Sequence, residues 1–167
     1  LITSESGGAS GGLARGIRPE DLRERGIIAG NIRLGSLAEF EGEDTVVIGT
    51  GLANRLRVRV GDRITMVSPQ GRATVVGTLP RLRAFRVAAL FNVGMNEYDS
   101  SFVFLPLEAA QAYFQMPGAA TQIEVFVDDP TRVRAVTREI QRALADQVLR
   151  EDFGDDEVCA AVEIAFA

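Results

Sequence analysis

A chain of 167 residues with 46% apolar residues is long enough to bury a core and fits one domain, with room for two lobes that share it. Its formal charge of −5, carried without a single lysine, leaves no basic footprint for duplex DNA or RNA, so nucleic acid is not an expected partner. Histidine is absent and Cys159 is the single cysteine; no His-based acid–base pair, Cys/His dyad or ordinary zinc site can be assembled, and no catalytic residue, cofactor or metal is expected.

Residues 1–12 are rich in Ser and Gly and start at Leu1 without a methionine, which reads as a flexible linker cut from something longer. Ser6 to Gly12 is no phosphate loop, because no strand precedes it and no GK[ST] follows. Leu13 to Ile17 suits a short strand, and Pro19 followed by Glu20 to Arg25 suits a short helix closed by Gly26. Thr45 to Gly49 is an apolar run of strand length, after which Thr50 can cap a helix through Leu56. The alternation Leu56, Val58, Val60 completes a strand–helix–strand unit and ends at the turn dipeptide Gly61-Asp62.

The next stretch stands apart. Arg63 to Asn96 holds Arg63, Arg72, Arg81, Arg83 and Arg86 and no acidic residue, in a chain that is acidic overall. Ile64 to Val67 and Arg86 to Phe91 read as strands, and the segment between them is punctuated by Pro69, Gly71, Gly77 and Pro80. A connection this long is either a functional protrusion at about 68–84 or a disordered tip, against the plainer reading of an ordinary extended hairpin with solvated arginines. Its mixture of Val75, Val76, Leu79 and Leu82 with arginine is the composition of interface patches.

Gly94 to Asp99 reads as a polar loop, and Ser101 to Leu105 as a strand with bulky residues on both faces, hence central. Pro106 opens a helix with Leu107, Ala110, Tyr113 and Phe114 at helical spacing, ended by Pro117-Gly118. Gln122 to Val127 alternates as a half-buried strand. Asp129 is an N-cap with Pro130 behind it, for a long helix whose stripe is Val133, Val136, Ile140, Leu144 and Val148, packed on the sheet. The whole predicts an α+β fold: a mixed sheet covered by helices, with a protruding β-hairpin arm, spanning 13–150 and followed by a tail at 151–167. Glu97 and Asp99 find no acid–base partner in this sequence, and Asp152, Asp155, Asp156 and Glu157 do not follow calcium-loop spacing.

Three segments in order carry a resemblance: Val58 to Ile64, then Phe85 to Gly94, then Tyr98 to Gln111. Together, over about Leu13 to Leu144, the chain resembles the periplasmic domain of lipoprotein-releasing ABC transporter permeases, the LolC/LolE family of the MacB-like type. The resemblance implies a periplasm-facing domain of a cell inner membrane protein, inserted between two membrane helices, with 1–12 leading from the first helix and 151–167 membrane-proximal. It implies partners as well: a lipoprotein substrate, the soluble carrier LolA, and a cytoplasmic ATPase and second permease reached through the membrane parts. ATP hydrolysis would then reside in that separate ATPase. A carrier-docking hook would fall on Ala73, Thr74, Val75, Val76, Gly77, Thr78, Leu79 and Pro80, of which Thr74, Gly77 and Pro80 match the family's hook pattern, as does Arg83 just after. A neighbouring pad would fall on Ile64, Arg81, Leu82 and Arg83, with apolar Ile64 and Leu82 where the family has polar or charged residues. The alternative implied by the same family is an extracytoplasmic domain of a related MacB/FtsX-type permease that transmits ATPase-driven motion to another partner.

Overall fold

The computed structural model describes residues 1–74, 77–127, 129–148 and 161–166, with side chains left aside at 69–79, 123, 130 and from 144 onward. Val75, Val76, Cys159 and the acidic run at 152–157 lie outside the described residues. The chain divides into two compact units, Leu1–Gly118 and Ala119–Ala167, where the sequence predicts one body from 13 to 150.

The first unit is built on a mixed sheet. Its strands are β1 (Ile2–Ser4), β2 (Ala9–Ser10), β3 (Leu13–Ile17), β4 (Ile32–Gly35), β5 (Thr45–Gly49), β6 (Arg63–Thr74), β7 (Gly77–Phe91) and β8 (Phe102–Pro106), in the spatial order β2-β1-β6-β7-β5-β8-β3, with β4 also on β7. Pairing is parallel for β3–β8 and β5–β7 and antiparallel elsewhere in this sheet. The α+β expectation therefore holds, and β8 is internal, as its bulky residues on both faces require.

The sheet buries both faces, and the period-two alternation of its strands sorts the core into two clusters. Val46, Ile48, Ile64, Phe85, Val87, Val103 and Leu105 point to one side. There they meet Leu52, Ala53 and Leu56 of α3 (Thr50–Leu56) and Ala109, Ala110 and Tyr113 of α5 (Leu107–Phe114). Val47, Ala89, Phe91 and Phe104 point to the other, where Leu22 of α1 (Pro19–Glu24), Ile28 of α2 (Gly26–Ala29) and Phe40 cover them. A register shift at Val46/Val47 against Val87/Ala89 lets β7 keep both apolar faces inward across a bulge. Gly16 allows α5 to approach, since a Cβ there would stand 2.5 Å from the Ala110 Cβ.

Four local expectations change. Residues 1–12 are part of the sheet rather than a flexible linker: Gly7, at φ +79, turns β1 into β2, β1 pairs with β6, and Ile2 is only 2% exposed. Gly26 opens α2 instead of ending the helical region, and Leu56 to Val60 is no strand, because Arg57 closes α3 in the left-handed conformation and Val58 drops into the core. The polar loop at 94–99 is largely helix, α4 (Asn96–Ser101), and Asp99 is 6% exposed rather than on the surface. Its carboxylate accepts the backbone N–H groups of Val93 (2.8 Å) and Gly94 (3.1 Å), tying the incoming loop to the helix.

The second unit holds β9 (Gln122–Val127), a 3-10 turn at Pro130–Arg132, α6 (Val133–Val148) and β10 (Ala161–Phe166). β10 runs parallel to β9, so part of the expected tail is paired strand. Asp129 accepts the Thr131 N–H (2.9 Å) and hydroxyl (2.7 Å), an Asx cap that holds its carboxyl below the ordinary carboxylate range. On α6, Val133, Val136 and Ile140 are half-buried while Arg134, Arg138 and Glu139 face solvent, as its stripe predicts.

Candidate functional site

β6 and β7 are the longest strands of the chain, at 12 and 15 residues. The pairing runs from Arg63↔Arg86 to Ser68↔Arg81 and resumes from Arg72↔Leu79 to Thr74↔Gly77. Residues 69–71 thus stand opposite Pro80 alone. Pro69 and Pro80 lack the N–H a regular ladder needs, which places the irregularity at this point. β1 flanks β6 only as far as Val67, and β5 flanks β7 only from Arg86 inward, so beyond Ser68 and Arg81 the described ladders join the two strands to each other alone. The long basic connection is therefore strand nearly throughout, a two-stranded arm continuous with the sheet.

Side-chain alternation gives the arm's base two unlike faces. The inner face continues the core: Ile64, Met66 and Ser68 of β6 are buried beside Phe85 of β7. Where apolar residues run out on β7, the same face carries Arg83 and Arg81. Arg83 is 24% exposed, lies 5.4 Å over the Phe85 ring, and donates to the Glu43 carboxylate (3.0 Å), the Glu43 carbonyl (3.1 Å) and the Asp44 carboxylate (3.3 Å). Arg81 donates to the Tyr113 carbonyl in the last turn of α5, where the Gln111 and Ala112 carbonyls are taken by the Met116 and Gln115 N–H groups and the helix end favours a cation. Burial raises the Tyr113 hydroxyl above its ordinary range, and the Arg81 charge offsets part of this. The two guanidiniums clamp the arm's base to the body.

The outer face is a set of rungs. Leu1 exchanges both backbone hydrogen bonds with Val67, which pairs with Leu82; Thr3, Thr65 and Ala84 form the next rung; Arg63, Arg86 and Thr45 form the third. Leu82 is 63% exposed. Arg86 pairs with Glu39 at 2.7 Å, while among the described residues no carboxylate lies within ion-pair distance of Arg63.

The expected hook residues fall at the end of this arm. Ala73, Thr74, Gly77, Thr78 and Leu79 are in register in the ladder, Pro80 is exposed, and Val75 and Val76 lie outside the described residues. The expected pad does not form one surface. Ile64 has 0% exposure in the core, so its side chain offers a partner nothing. Arg81 and Arg83 face inward and are engaged, and Leu82, between them in sequence, points the opposite way. Consecutive strand residues cannot share a face. The Arg63–Arg86 rung was missed in the sequence because only the register of β6 on β7 makes those two residues neighbours.

The mixed sheet with both faces covered and its long antiparallel arm fit a family that the sequence also matches: residues 4–143 match the MacB-like periplasmic core domain, and the chain belongs to that family. Individual relatives are named for lipoprotein release. The chain is 31% identical over 142 residues to the lipoprotein-releasing system transmembrane protein LolC of Xylella fastidiosa, covering 84% of this chain and 34% of that protein. The LolC of Neisseria meningitidis is 27% identical over 137 residues (81% and 33%), and the LolE of Haemophilus influenzae 32% identical over 97 residues (58% and 23%). The chain spans about a third of the length of the LolC relatives it matches. Among the described residues, no helix is long and apolar enough to cross a membrane.

Proposed function

We propose that this chain is the periplasmic domain of an inner-membrane ABC permease that releases lipoproteins, and that its arm docks the soluble lipoprotein carrier, LolA in the family's terms. The reading is carried by the arm, a paired extension on which Thr74, Gly77, Pro80 and Arg83 match the family's hook pattern, in a chain 31% identical to a LolC protein. Beyond Ser68 and Arg81 the described ladders leave the outer backbone edges of the arm open to strand-like pairing with a partner. Handover requires release, so the interface is expected to be small, below about 1,200 Å², with a few residues dominating. The domain itself hydrolyses nothing in this scheme; ATP is used by a cytoplasmic subunit reached through membrane segments, alongside a second permease.

Titration of the chain with the carrier of the same organism tests this, beside a variant in which 73–80 is replaced by a short Gly-Ser turn. Saturable binding that disappears with the arm is the expected result. Absence of binding by the intact chain would favour motion transmission to a different partner, a reading open to the wider MacB-like family, which a lipoprotein-transfer assay on the full complex would then separate.

A further inference from the structure

We infer that the second unit carries a membrane-facing surface: the outer side of α6, with Arg134, Arg138 and Arg142 in one row, lies against anionic phospholipid headgroups. This rests on the inner-membrane part of the reading above and uses none of its carrier docking.

The row follows from helix geometry. Residues four apart lie about 6 Å along a helix, so these arginines climb α6 as a single ridge within about 80° of arc. Each is exposed, and the half-buried stripe of Val133, Val136 and Ile140 lies on the opposite side. From Arg132 to Arg142 the chain has four arginines against Glu139 alone, in a protein whose net charge is −5. Among the described residues no carboxylate lies within ion-pair distance of Arg134, Arg138 or Arg142. The Arg138 Nε instead donates to the Arg134 carbonyl (3.1 Å), which keeps that guanidinium on the ridge. Like charges at i, i+4 destabilise a helix, and an anionic surface relieves that repulsion.

The chemistry favours a bilayer over a protein. Protein interfaces centre on large desolvated anchors, whereas the ridge and its margins hold Gln141, Ala135 and Glu139, none of them such an anchor. With its apolar stripe turned inward, α6 has nothing to insert into hydrocarbon, so the contact is electrostatic and superficial. As a whole the acidic chain is repelled by an anionic leaflet, and the ridge sets which side of the second unit is drawn to it. In the permease reading the domain is tethered beside a bilayer, which supplies that surface at high local concentration.

Cosedimentation of the chain with vesicles tests this, comparing pure phosphatidylcholine with a mixture holding about 30% phosphatidylglycerol, at about 25 and about 300 mM salt. Two double variants of equal charge are set side by side: Arg138→Gln with Arg142→Gln on the ridge, and Arg55→Gln with Arg59→Gln on the first unit. All four side chains are exposed and without ion pairs among the described residues, so melting temperatures should match the parent. The expected result is low-salt binding to the phosphatidylglycerol vesicles alone, weakened about fivefold for each ridge arginine removed and nearly unchanged by the first-unit pair. Arg138→Lys with Arg142→Lys should bind almost like the parent, because headgroup attraction reads charge rather than guanidinium shape. No binding at low salt, or equal losses for the two pairs, would overturn the ridge while leaving the carrier titration untouched. A ridge pair that binds vesicles like the parent but weakens carrier affinity would assign the ridge to a protein and overturn the choice of lipid.

Discussion

β6 and β7 run through two environments, and the body and the arm hold them by different physics. In the body, Ile64, Phe85 and Val87 are enclosed by helices on one side, and Ala89 and Phe91 by Phe40 and its neighbours on the other. At the arm's base the inner face changes from Phe85 to Arg83 and Arg81, and the outer face has no cover over Leu82. Apolar burial is non-directional and is not weakened by ionic screening, whereas the arginine contacts are directional and screened. The body thus sets whether the protein folds, and the arginines set how firmly the arm is attached.

Substitutions can separate the two. The largest effect is expected from Phe85→Ala, which empties the junction where the Phe85 and Tyr113 rings meet edge to face at 6.1 Å. Chemical denaturation should show a loss of about 3–5 kcal/mol, and a loss below ~1 kcal/mol would contradict the assignment of Phe85 to the core. Next, Asp99→Ala removes the buried acceptor of the Val93 and Gly94 N–H groups, and because that loop is itself partly open to water it should destabilise the body by about 1–2 kcal/mol in the same assay. Arg81→Ala should reduce global stability by only about 1 kcal/mol, yet hydrogen exchange should accelerate selectively in β6 and β7 beyond Ser68 and Arg81. A uniform acceleration instead would mean that the clamp serves the body. Arg83→Ala should lose less than ~1 kcal/mol at low salt, because both partner carboxylates are well exposed, and the difference should shrink in high salt.

The smallest effect is a pH dependence at the clamp. The folded-state pKa of Tyr113 lies above its ordinary value of 10.0, so folding favours the neutral phenol. Its contribution is fully present below pH 10.0 and is lost as pH rises from there through the folded value. Tyr113→Phe should show a shallower alkaline decline in unfolding free energy than the parent, and equal slopes would show that the phenol is not linked to folding.

Much of the fold was legible because it is written in local chemistry. Pro19 at the first turn of α1, the apolar run Thr45 to Gly49, the bulky β8 and the stripe of α6 each carry their own periodicity or cap. Two misreadings came from polar residues that are satisfied rather than exposed: Asp99 looked like surface until its two N–H donors appeared, and the Ser/Gly start looked like linker until β1 found the open edge of β6. Of the candidate site, the existence and position of the arm were legible in the basic, proline-punctuated stretch after Gly61-Asp62. Its working faces were not.

Residue order alone determined an α+β chain without His or Lys chemistry and with an arm near 68–84, because composition and period-two or 3.6 spacing are local properties. Tertiary structure decided what the arginines do. Whether a guanidinium meets a carboxylate or a helix carbonyl depends on register and on segments far away in the chain: Arg81 and Tyr113 are 32 residues apart, Arg83 and Glu43 40, and Arg86 and Glu39 47. Those contacts arise from folding the chain back on itself, which no local pattern encodes.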